Sequence, residues 1–239
     1  RENGLHILDV TNPSSPTPLG VTDADWEANV AVVSTGGTAY IADRDKGLRI
    51  VDVSDPADND VLGTYERPNA VMDVLIDDPQ VYVAGLDKLW VIDVANPEHP
   101  VPVTKSDLQG SLGEPRRLSL SSDHQTGDPL LYVASQSYGV EVFDVGEPLT
   151  PTLTGTYPAP TGHDVDDVFA VGEHAYVCTA QAGNGQLRIL DVADPGNPVE
   201  MEVYDTPGDA RGVFVTDTLA YVADGPAGLK VIDIRDPLY

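Results

Sequence analysis

A ten-residue segment occurs six times along this chain of 239 residues, with the same order of residue types in each copy. Residues 47–56, Gly-Leu-Arg-Ile-Val-Asp-Val-Ser-Asp-Pro, are typical of the set. Each copy has an aspartate after an apolar run, and successive aspartates are 41 to 51 residues apart: Asp9, Asp52, Asp93, Asp144, Asp191 and Asp233. Self-similarity with a period of roughly 20 to 50 residues is the signature of repeat architectures.

A second motif, centred on a tyrosine, precedes five of the six copies, as in residues 39–43, Ala-Tyr-Ile-Ala-Asp. An apolar run such as residues 30–33 comes before it, and a more polar run such as residues 62–65 follows the ten-residue segment. Short β-rich runs bounded by turn residues predict four strands per repeat. Such sheets have two apolar faces and no helices to cover them. Radial stacking buries both faces, so we predict an all-β propeller of four-stranded antiparallel blades.

The repeated aspartate stands at the end of the third strand, just before a turn that contains proline. A carboxylate there can accept backbone N–H groups of the turn, and proline ends strand pairing. A residue present in all six repeats is expected to serve the shared structure, so we interpret these aspartates as structural and not as catalytic acids.

The pattern closely resembles the LVIVD-repeat family of bacterial and archaeal β-propellers. Residues 50–53, Ile-Val-Asp-Val, and residues 91–94, Val-Ile-Asp-Val, match its third strand, and the Ala-Tyr-Val-Ala-Asp strands match as well. The resemblance covers essentially the whole chain. It implies a propeller that is commonly exported, and therefore an extracellular, cell-surface or periplasmic location. It supplies no catalytic residues.

The strand count bears on the number of blades. The third strand occurs six times, whereas the first and second strands occur five times. This favours six blade positions, the first with only its outer strands at residues 5–10 and about 18–22; five or seven blades are the alternatives. We expect residues 1–239 to form a single propeller domain that is part of a longer chain.

The charge excludes several classes of partner. The chain has 39 acidic and 13 basic residues, a net charge of −26. Nucleic acids are bound through Lys and Arg, so none is expected as a partner. Direct membrane insertion is not expected either, because no apolar run approaches the length of a transmembrane segment. A protein partner that is basic or bridged by cations suits this charge.

Loops on one end of the predicted blades are the expected interaction face. They join the second strand to the third and the fourth strand to the next first strand, and they include two of three length insertions. Loops on a rigid scaffold commonly carry binding residues. The candidates on this face are Trp26, Tyr138, His163, Asp164 and Asp166. Asp164 and Asp166 are also weak candidates for a Ca²⁺ site, since Ca²⁺ prefers oxygen ligands; otherwise no cofactor is expected.

Charged residues at the starts of the first strands form a second candidate, at the mouth of the predicted axial channel. These residues can bind a small polar ligand or form ion pairs with one another. The set comprises Asp73, Arg116, Arg117, Asp167 and Arg211, together with Asp166.

Two functional hypotheses follow. The first is a non-catalytic propeller, acting as a protein–protein interaction module or as a structural subunit of a cell-surface or envelope-associated assembly. The alternative is a Ca²⁺-assisted hydrolase or lyase with its site at the channel mouth. Convergence of the charged residues on one cavity would favour the enzyme.

Overall fold

The computed structural model describes residues 4–22, 29–44, 46–66, 71–86, 88–107 and 114–235. In these segments the chain forms 21 β-strands and one 3-10 turn, Gly225–Ala227. The predicted all-β class is confirmed. Across the described segments, no helix has the length and apolar character needed to cross a bilayer. The chain divides into two compact units, Arg1–Lys105 and Ser106–Tyr239, with the boundary inside the tenth strand.

The first unit contains three sheets, which we number 1 to 3 in chain order. Sheet 1 is formed by β1 (His6–Asp9) and β2 (Thr17–Val21). Sheet 2 is formed by β3 (Asn29–Thr35), β4 (Thr38–Asp43), β5 (Gly47–Asp52) and β6 (Val61–Tyr65). Sheet 3 is formed by β7 (Asp73–Asp77), β8 (Gln80–Ala84), β9 (Lys88–Asp93) and β10 (Val101–Asp107).

The second unit contains sheets 4 to 6. Sheet 4 is formed by β11 (Pro115–Ser122), β12 (Pro129–Ser135), β13 (Gly139–Asp144) and β14 (Thr152–Pro158). Sheet 5 is formed by β15 (Asp164–Val171), β16 (His174–Ala180), β17 (Gly185–Asp191) and β18 (Val199–Thr206). Sheet 6 is formed by β19 (Gly212–Val215), β20 (Leu219–Ala223) and β21 (Leu229–Asp233).

The strands of each sheet are paired in chain order. The third strand of the repeat is therefore present in all six sheets, and sheet 1 consists of a third and a fourth strand, as the sequence predicts. In sheets 2 to 6 the second strand lies inside the sheet and is apolar on both faces, as shown by β4 and β12, which are buried over nearly their whole length.

Apolar cores lie between consecutive sheets within each unit. In the second unit, Tyr132, Ala134 and Val142 of sheet 4 pack with Val168 and Val177 of sheet 5. The opposite face of sheet 5 packs with sheet 6 in the same manner, and sheet 2 packs with sheet 3 in the first unit. Burial of this apolar surface is the main favourable term in folding.

The five motif tyrosines occupy equivalent positions in the middle of the second strands: Tyr40, Tyr82, Tyr132, Tyr176 and Tyr221. The first four are buried, with at most 6% of their surface exposed. Tyr221 is only half-buried. It lies in sheet 6, and on the same face Phe214 and Val231 are exposed.

Candidate functional site

The repeated aspartates are engaged by the fold. In all six repeats the carboxylate Oδ1 accepts a hydrogen bond from the backbone N–H two residues further along, at 2.8–3.1 Å. The residue before the turn proline often adds a second such bond, as when Ala57 N–H donates to Asp55. The predicted hydrogen bonds between these carboxylates and the turn backbone are therefore present in every repeat.

The charged residues that differ between repeats gather where the first strands begin. In sheet 5 the pairing skips Asp166, so that Val165 faces Thr179 and Asp167 faces Cys178. Sheet 4 has the same bulge at Arg116. β-bulges bend a strand and re-aim side chains.

Sheet 6 has an equivalent arrangement just before its first strand. The backbone N–H of Arg211 bonds to the carbonyl of Ala223, which is also the register partner of Gly212. Arg116, Asp166 and Arg211 therefore occupy the same position in three consecutive sheets of the second unit.

This placement brings one carboxylate between two guanidinium groups. Arg116 Nε lies 3.9 Å from Asp166 Oδ1, and Arg211 Nη1 lies 4.0 Å from Asp166 Oδ2. Both distances exceed the range of a hydrogen bond. Arg116 Nε is buried and has no hydrogen-bond partner within the described segments. Arg211 Nη2 donates to Asp209 at 3.0 Å.

The Asp166 side chain is only 13% exposed. Its burial raises the pKa of the carboxyl group above the ordinary value, although Arg116 and Arg211 act in the opposite direction. Asp164 and Asp209 contribute to the same rise by charge repulsion. Desolvation thus outweighs the two neighbouring cations.

Asp167 faces a different environment from Asp166. Its two carboxylate oxygens accept backbone N–H groups of Val168, at 2.9 Å, and of Val213 in sheet 6, at 2.8 Å. Only 9% of the residue is exposed. Asp167 therefore joins sheet 5 to sheet 6.

The remaining predicted residues of the second unit differ in burial and in hydrogen-bond partners. Asp164 accepts a hydrogen bond from the Gln136 amide at 2.8 Å. His163 is half-buried, and its Nδ1 has no hydrogen-bond partner in the described segments. Tyr138 is half-buried in the loop after β12, and Arg117 is exposed. The loops of the second unit thus place most of the predicted interaction residues at one end of sheets 4 to 6.

Two of the predicted residues belong to the first unit, Arg1–Lys105. Asp73 belongs to the first unit, where it starts β7 and is 5% exposed. Trp26 lies outside the described residues.

The suggested Ca²⁺ ligands, Asp164 and Asp166, have different polar neighbours. Asp164 is bound to the Gln136 amide, and Asp166 faces two guanidinium groups, which would repel a cation. In the described segments, no three or more His, Cys, Asp or Glu side chains gather as metal ligands.

Sequence reasoning did not identify the polar contacts between neighbouring sheets. The hydroxyl group of Tyr157, at the end of sheet 4, donates a hydrogen bond to Glu200 in sheet 5. Glu200 also forms an ion pair with Arg188. Sheets 2 and 3 have an aromatic counterpart, in which the rings of Tyr65 and Trp90 are 6.1 Å apart. The sequence feature that relates to these contacts is the variable polar position of the third strand, which Arg188 and Trp90 occupy in their repeats.

The LVIVD repeat model matches residues 1–23, 28–66, 69–107, 162–206 and 207–238, more than half of the chain. Sheet 4 lies in the segment between the third and fourth matches, yet it has the same four-stranded order as its neighbours. No curated protein matches the chain.

Solved structures similar to this chain are β-propellers of low sequence identity. A chain of the COPII outer coat vertex on membranes is 12% identical, with a TM-score of 0.75 over 98% of this chain and 65% of that one. The β-propeller domain of Cps50 (Swd1) from Myceliophteria thermophila is 12% identical, with a TM-score of 0.64 over 82% of this chain and 67% of that one.

A protein from Lactobacillus plantarum is 15% identical, with a TM-score of 0.74 over 95% of this chain and 76% of that one. This chain spans less than two thirds of the COPII chain. At these identities the likeness concerns the fold.

Proposed function

The chain belongs to the LVIVD-repeat family, and from that premise we propose that it is a non-catalytic propeller with six blade positions, the first of them incomplete. In this proposal it forms a single domain that acts as a protein–protein interaction module or a structural subunit of a cell-surface or envelope-associated assembly. The assembly of a COPII coat from chains of similar fold is in keeping with such a role.

The observation that carries the proposal is the use of the repeated carboxylates. All six accept turn N–H groups, so the residues that every repeat shares are accounted for by structure. Asp167, which the enzyme hypothesis placed at a reactive site, is likewise bound to two backbone N–H groups. In this proposal, the polar residues that differ between repeats determine which partner the protein binds.

The proposed interaction face is the end of the sheets that holds Tyr138, His163, Asp164 and Asp166, with Trp26 assigned to it from the sequence. With a net charge of −26, a basic or cation-bridged protein partner is favoured. Association through this face should weaken as salt rises, because salt screens charges that are exposed to solvent.

Site-specific photo-crosslinking in the source cells tests this proposal. A photoreactive residue at Tyr138 is expected to capture a protein partner. The matched control is Leu149, which lies in the turn after the third strand of the same sheet and is 66% exposed. Capture at Leu149 and not at Tyr138 would move the interface to the opposite end of the sheets. Cell fractionation with immunodetection tests the location, and a purely cytoplasmic protein would contradict it.

A further inference from the structure

The third strand of sheet 6, β21, lies at the edge of its sheet. In sheets 2 to 5 the third strand lies inside the sheet and pairs with a fourth strand, whereas in the described segments no strand pairs with the outer edge of β21. An unpaired edge presents backbone N–H and C=O groups that can pair with another extended chain. The edge of β21 is therefore a candidate site for the addition of a strand.

The pairing of β21 with β20 identifies the backbone groups that point to the outer edge. Ile234, the residue after β21, donates its N–H to the C=O of Thr218, the residue before β20, at 3.0 Å. The even-numbered residues of β21 therefore bond to β20. Because the direction of the backbone groups alternates along an antiparallel strand, Leu229, Val231 and Asp233 direct their N–H and C=O groups to the outer edge.

Other sheets use the equivalent groups to hold their fourth strands. In sheet 1 the C=O of Leu5, the equivalent of Leu229, accepts the N–H of the residue after β2 at 2.9 Å. In sheet 2 the N–H of Asp52, the equivalent of Asp233, donates to the C=O of the residue before β6 at 2.8 Å. Sheet 6 thus has the same bonding groups in the same places.

Space for a fourth strand is open beside the first residues of β21. Gly139 in sheet 4 and Gly228 in sheet 6 occupy equivalent positions. A Cβ added to Gly139 would lie 2.0 Å from the carbonyl oxygen of Tyr157, so the fourth strand fills this space in sheet 4. A Cβ added to Gly228 would meet no atom of the described residues within 4 Å. A cavity of about 300 Å³ lies at this place, and Gly228, Leu229 and Arg211 line it.

Apolar side chains of β21 are exposed where another third strand buries them. Leu229 is 64% exposed and Val231 is 54% exposed. At the equivalent positions of sheet 5, Leu187 and Ile189 are fully buried. Removing apolar surface from water is favourable, so a strand that packs beside β21 gains stability from these side chains as well as from backbone pairing.

The fourth strands that are already paired indicate which residues suit this edge. In three sheets the register partner of the residue equivalent to Leu229 is a tyrosine: Tyr65, Tyr157 and Tyr204. In sheet 5, Glu200 stands four residues before the tyrosine and forms an ion pair with Arg188. Lys230 has the position of Arg188 in sheet 6. An acidic residue four positions before the tyrosine therefore complements β21.

We propose that an extended segment of a protein partner adds to the edge of β21 as the fourth strand of sheet 6. The segment runs antiparallel to β21, with a tyrosine opposite Leu229 and an acidic residue near Lys230. The fourth strands of sheets 1 to 5 are paired within their own sheets, and strand addition is a common mode of peptide recognition. This proposal specifies how the interaction module binds a partner, and it therefore rests on the proposed function.

The probe is a synthetic peptide with the sequence of residues 198–206, Pro-Val-Glu-Met-Glu-Val-Tyr-Asp-Thr, capped at both ends. It contains the fourth strand of sheet 5. The matched control peptide carries an N-methyl group on the residue that corresponds to Tyr204. Tyr204 is the register partner of Leu187, the equivalent of Leu229. The methyl group removes one backbone donor and keeps every side chain, so the control peptide should not bind.

The readout is amide hydrogen exchange in the full ¹⁵N-labelled chain, followed by NMR as the peptide is added. In the free chain the amides of Lys230 and Ile232 should exchange slowly, because they bond to β20. The amides of Leu229, Val231 and Asp233 should exchange rapidly. The peptide is expected to slow exchange at these three residues and to leave the other two unchanged.

Variants of β21 test the edge itself. Val231→Pro removes an outward N–H, which an edge strand tolerates, and the affinity for the peptide should fall by about tenfold or more. Val231→Thr keeps that N–H and is the matched control, with unchanged affinity. Lys230→Ala should weaken binding by about two- to fivefold, as expected for an exposed ion pair. If Val231→Pro loses the spectrum of the folded chain, the N-methylated peptide provides the test.

Four results would overturn the proposal. The first is slow exchange of the outward amides in the free chain, which would identify a second copy at this edge if it depends on concentration and the chain's own residues if it does not. The second is a folded chain with a rapidly exchanging edge that binds no peptide. The third is equal affinity for the parent and N-methylated peptides. The fourth is a folded Val231→Pro variant that keeps full affinity.

Unchanged affinity in Lys230→Ala would contradict the acidic residue assigned to the partner segment. Crosslinking at Tyr138 tests the proposed function separately. Failure of the peptide to bind, together with capture of a partner at Tyr138, would overturn strand addition and leave the proposed function in place.

Discussion

At the residue scale, Asp52 shows how one carboxylate organises a turn. Its Oδ1 accepts the Ser54 hydroxyl at 2.6 Å and the Ser54 backbone N–H at 2.9 Å. The side-chain bond first and the backbone bond second lower the pKa of Asp52 below its ordinary value. Asp9 and Asp233 are similarly lowered by bonds from the residue two positions further along. Hydrogen bonds to the charged form favour that form.

These shifts predict a loss of stability in acid. A folded-state pKa below the unfolded one stabilises the fold above the unfolded pKa, and the contribution is lost as the pH falls through the folded pKa. Ser54→Ala removes the hydroxyl hydrogen bond, which of the two bonds lowers the pKa of Asp52 more. The urea midpoint of the variant should therefore depend less steeply on pH in the acid range. Parallel urea titrations of both chains check this, and identical slopes would contradict it.

A second residue-scale feature is the hydroxyl of Tyr157, which donates to Glu200. Burial first and the bond to Glu200 second raise the pKa of Tyr157 to about 12, while Arg188 acts in the opposite direction. The fold thus favours the neutral phenol. Its contribution to stability is complete below the unfolded pKa of 10.0 and is lost as the pH rises towards about 12.

Tyr157→Phe keeps the ring and removes the ionising group. At neutral pH we expect the variant to be less stable than the parent chain, because it lacks the hydrogen bond to Glu200. Between neutral and strongly alkaline pH we expect the variant to lose less stability than the parent chain. Thermal melts across this range are the measurement. A variant whose alkaline loss equals that of the parent would show that the phenol of Tyr157 is not held neutral by the fold.

At the element scale, glycines of the fourth strands let neighbouring sheets approach each other. Gly20, Gly63 and Gly155 each stand beside a strand irregularity, and each faces the carbonyl of the turn proline in the next sheet. A Cβ on Gly155 would overlap the carbonyl oxygen of Pro195. The turn that the repeated aspartate organises is thus also a contact between sheets.

Gly155→Ala should therefore destabilise the chain by about 1–3 kcal/mol, because backbone must move to admit the methyl group. Gly212→Ala is the matched control. It lies in a strand of the same unit, and its Cβ would meet its nearest neighbours at 3.5 and 3.7 Å, which is ordinary contact. Chemical denaturation of both variants tests the packing, and equal midpoints would refute it.

The sequence predicted the strands and the turns because both follow from local periodicity that six copies repeat. It also predicted the structural role of Asp52 and its counterparts. It did not predict the bulge at Asp166. The bulge adds one unpaired residue within the pair Asp166–Asp167, and the pattern of apolar residues before and after this pair does not reveal it. Strand alternation alone places Asp164 and Asp166 on one side, but Asp164 bonds to Gln136 while Asp166 faces two arginines. Contacts between sheets, such as Gly155 with Pro195, join residues that no local pattern relates.

At the scale of the whole molecule, the stability of the fold depends on the net charge and on the division into repeats. A net charge of −26 favours solubility and opposes compaction through self-repulsion, so added salt should raise stability by screening. The chain divides into two compact units, and the strength of the interfaces between sheets determines whether all sheets unfold together. In repeat proteins, stability is set by the repeats and by the interfaces between neighbours.

The proposed single domain makes a definite prediction about cooperativity. Tyr82 in the first unit and Tyr132 in the second are each 1% exposed, and replacing either by Ala should cost about 3–5 kcal/mol. If the chain is one domain, both variants will shift the same single calorimetric transition by a similar amount. Phe214→Ala, at a site 59% exposed, should have a much smaller effect. Two transitions, one moved only by Tyr82→Ala and the other only by Tyr132→Ala, would mean that the units fold independently and would contradict the single domain.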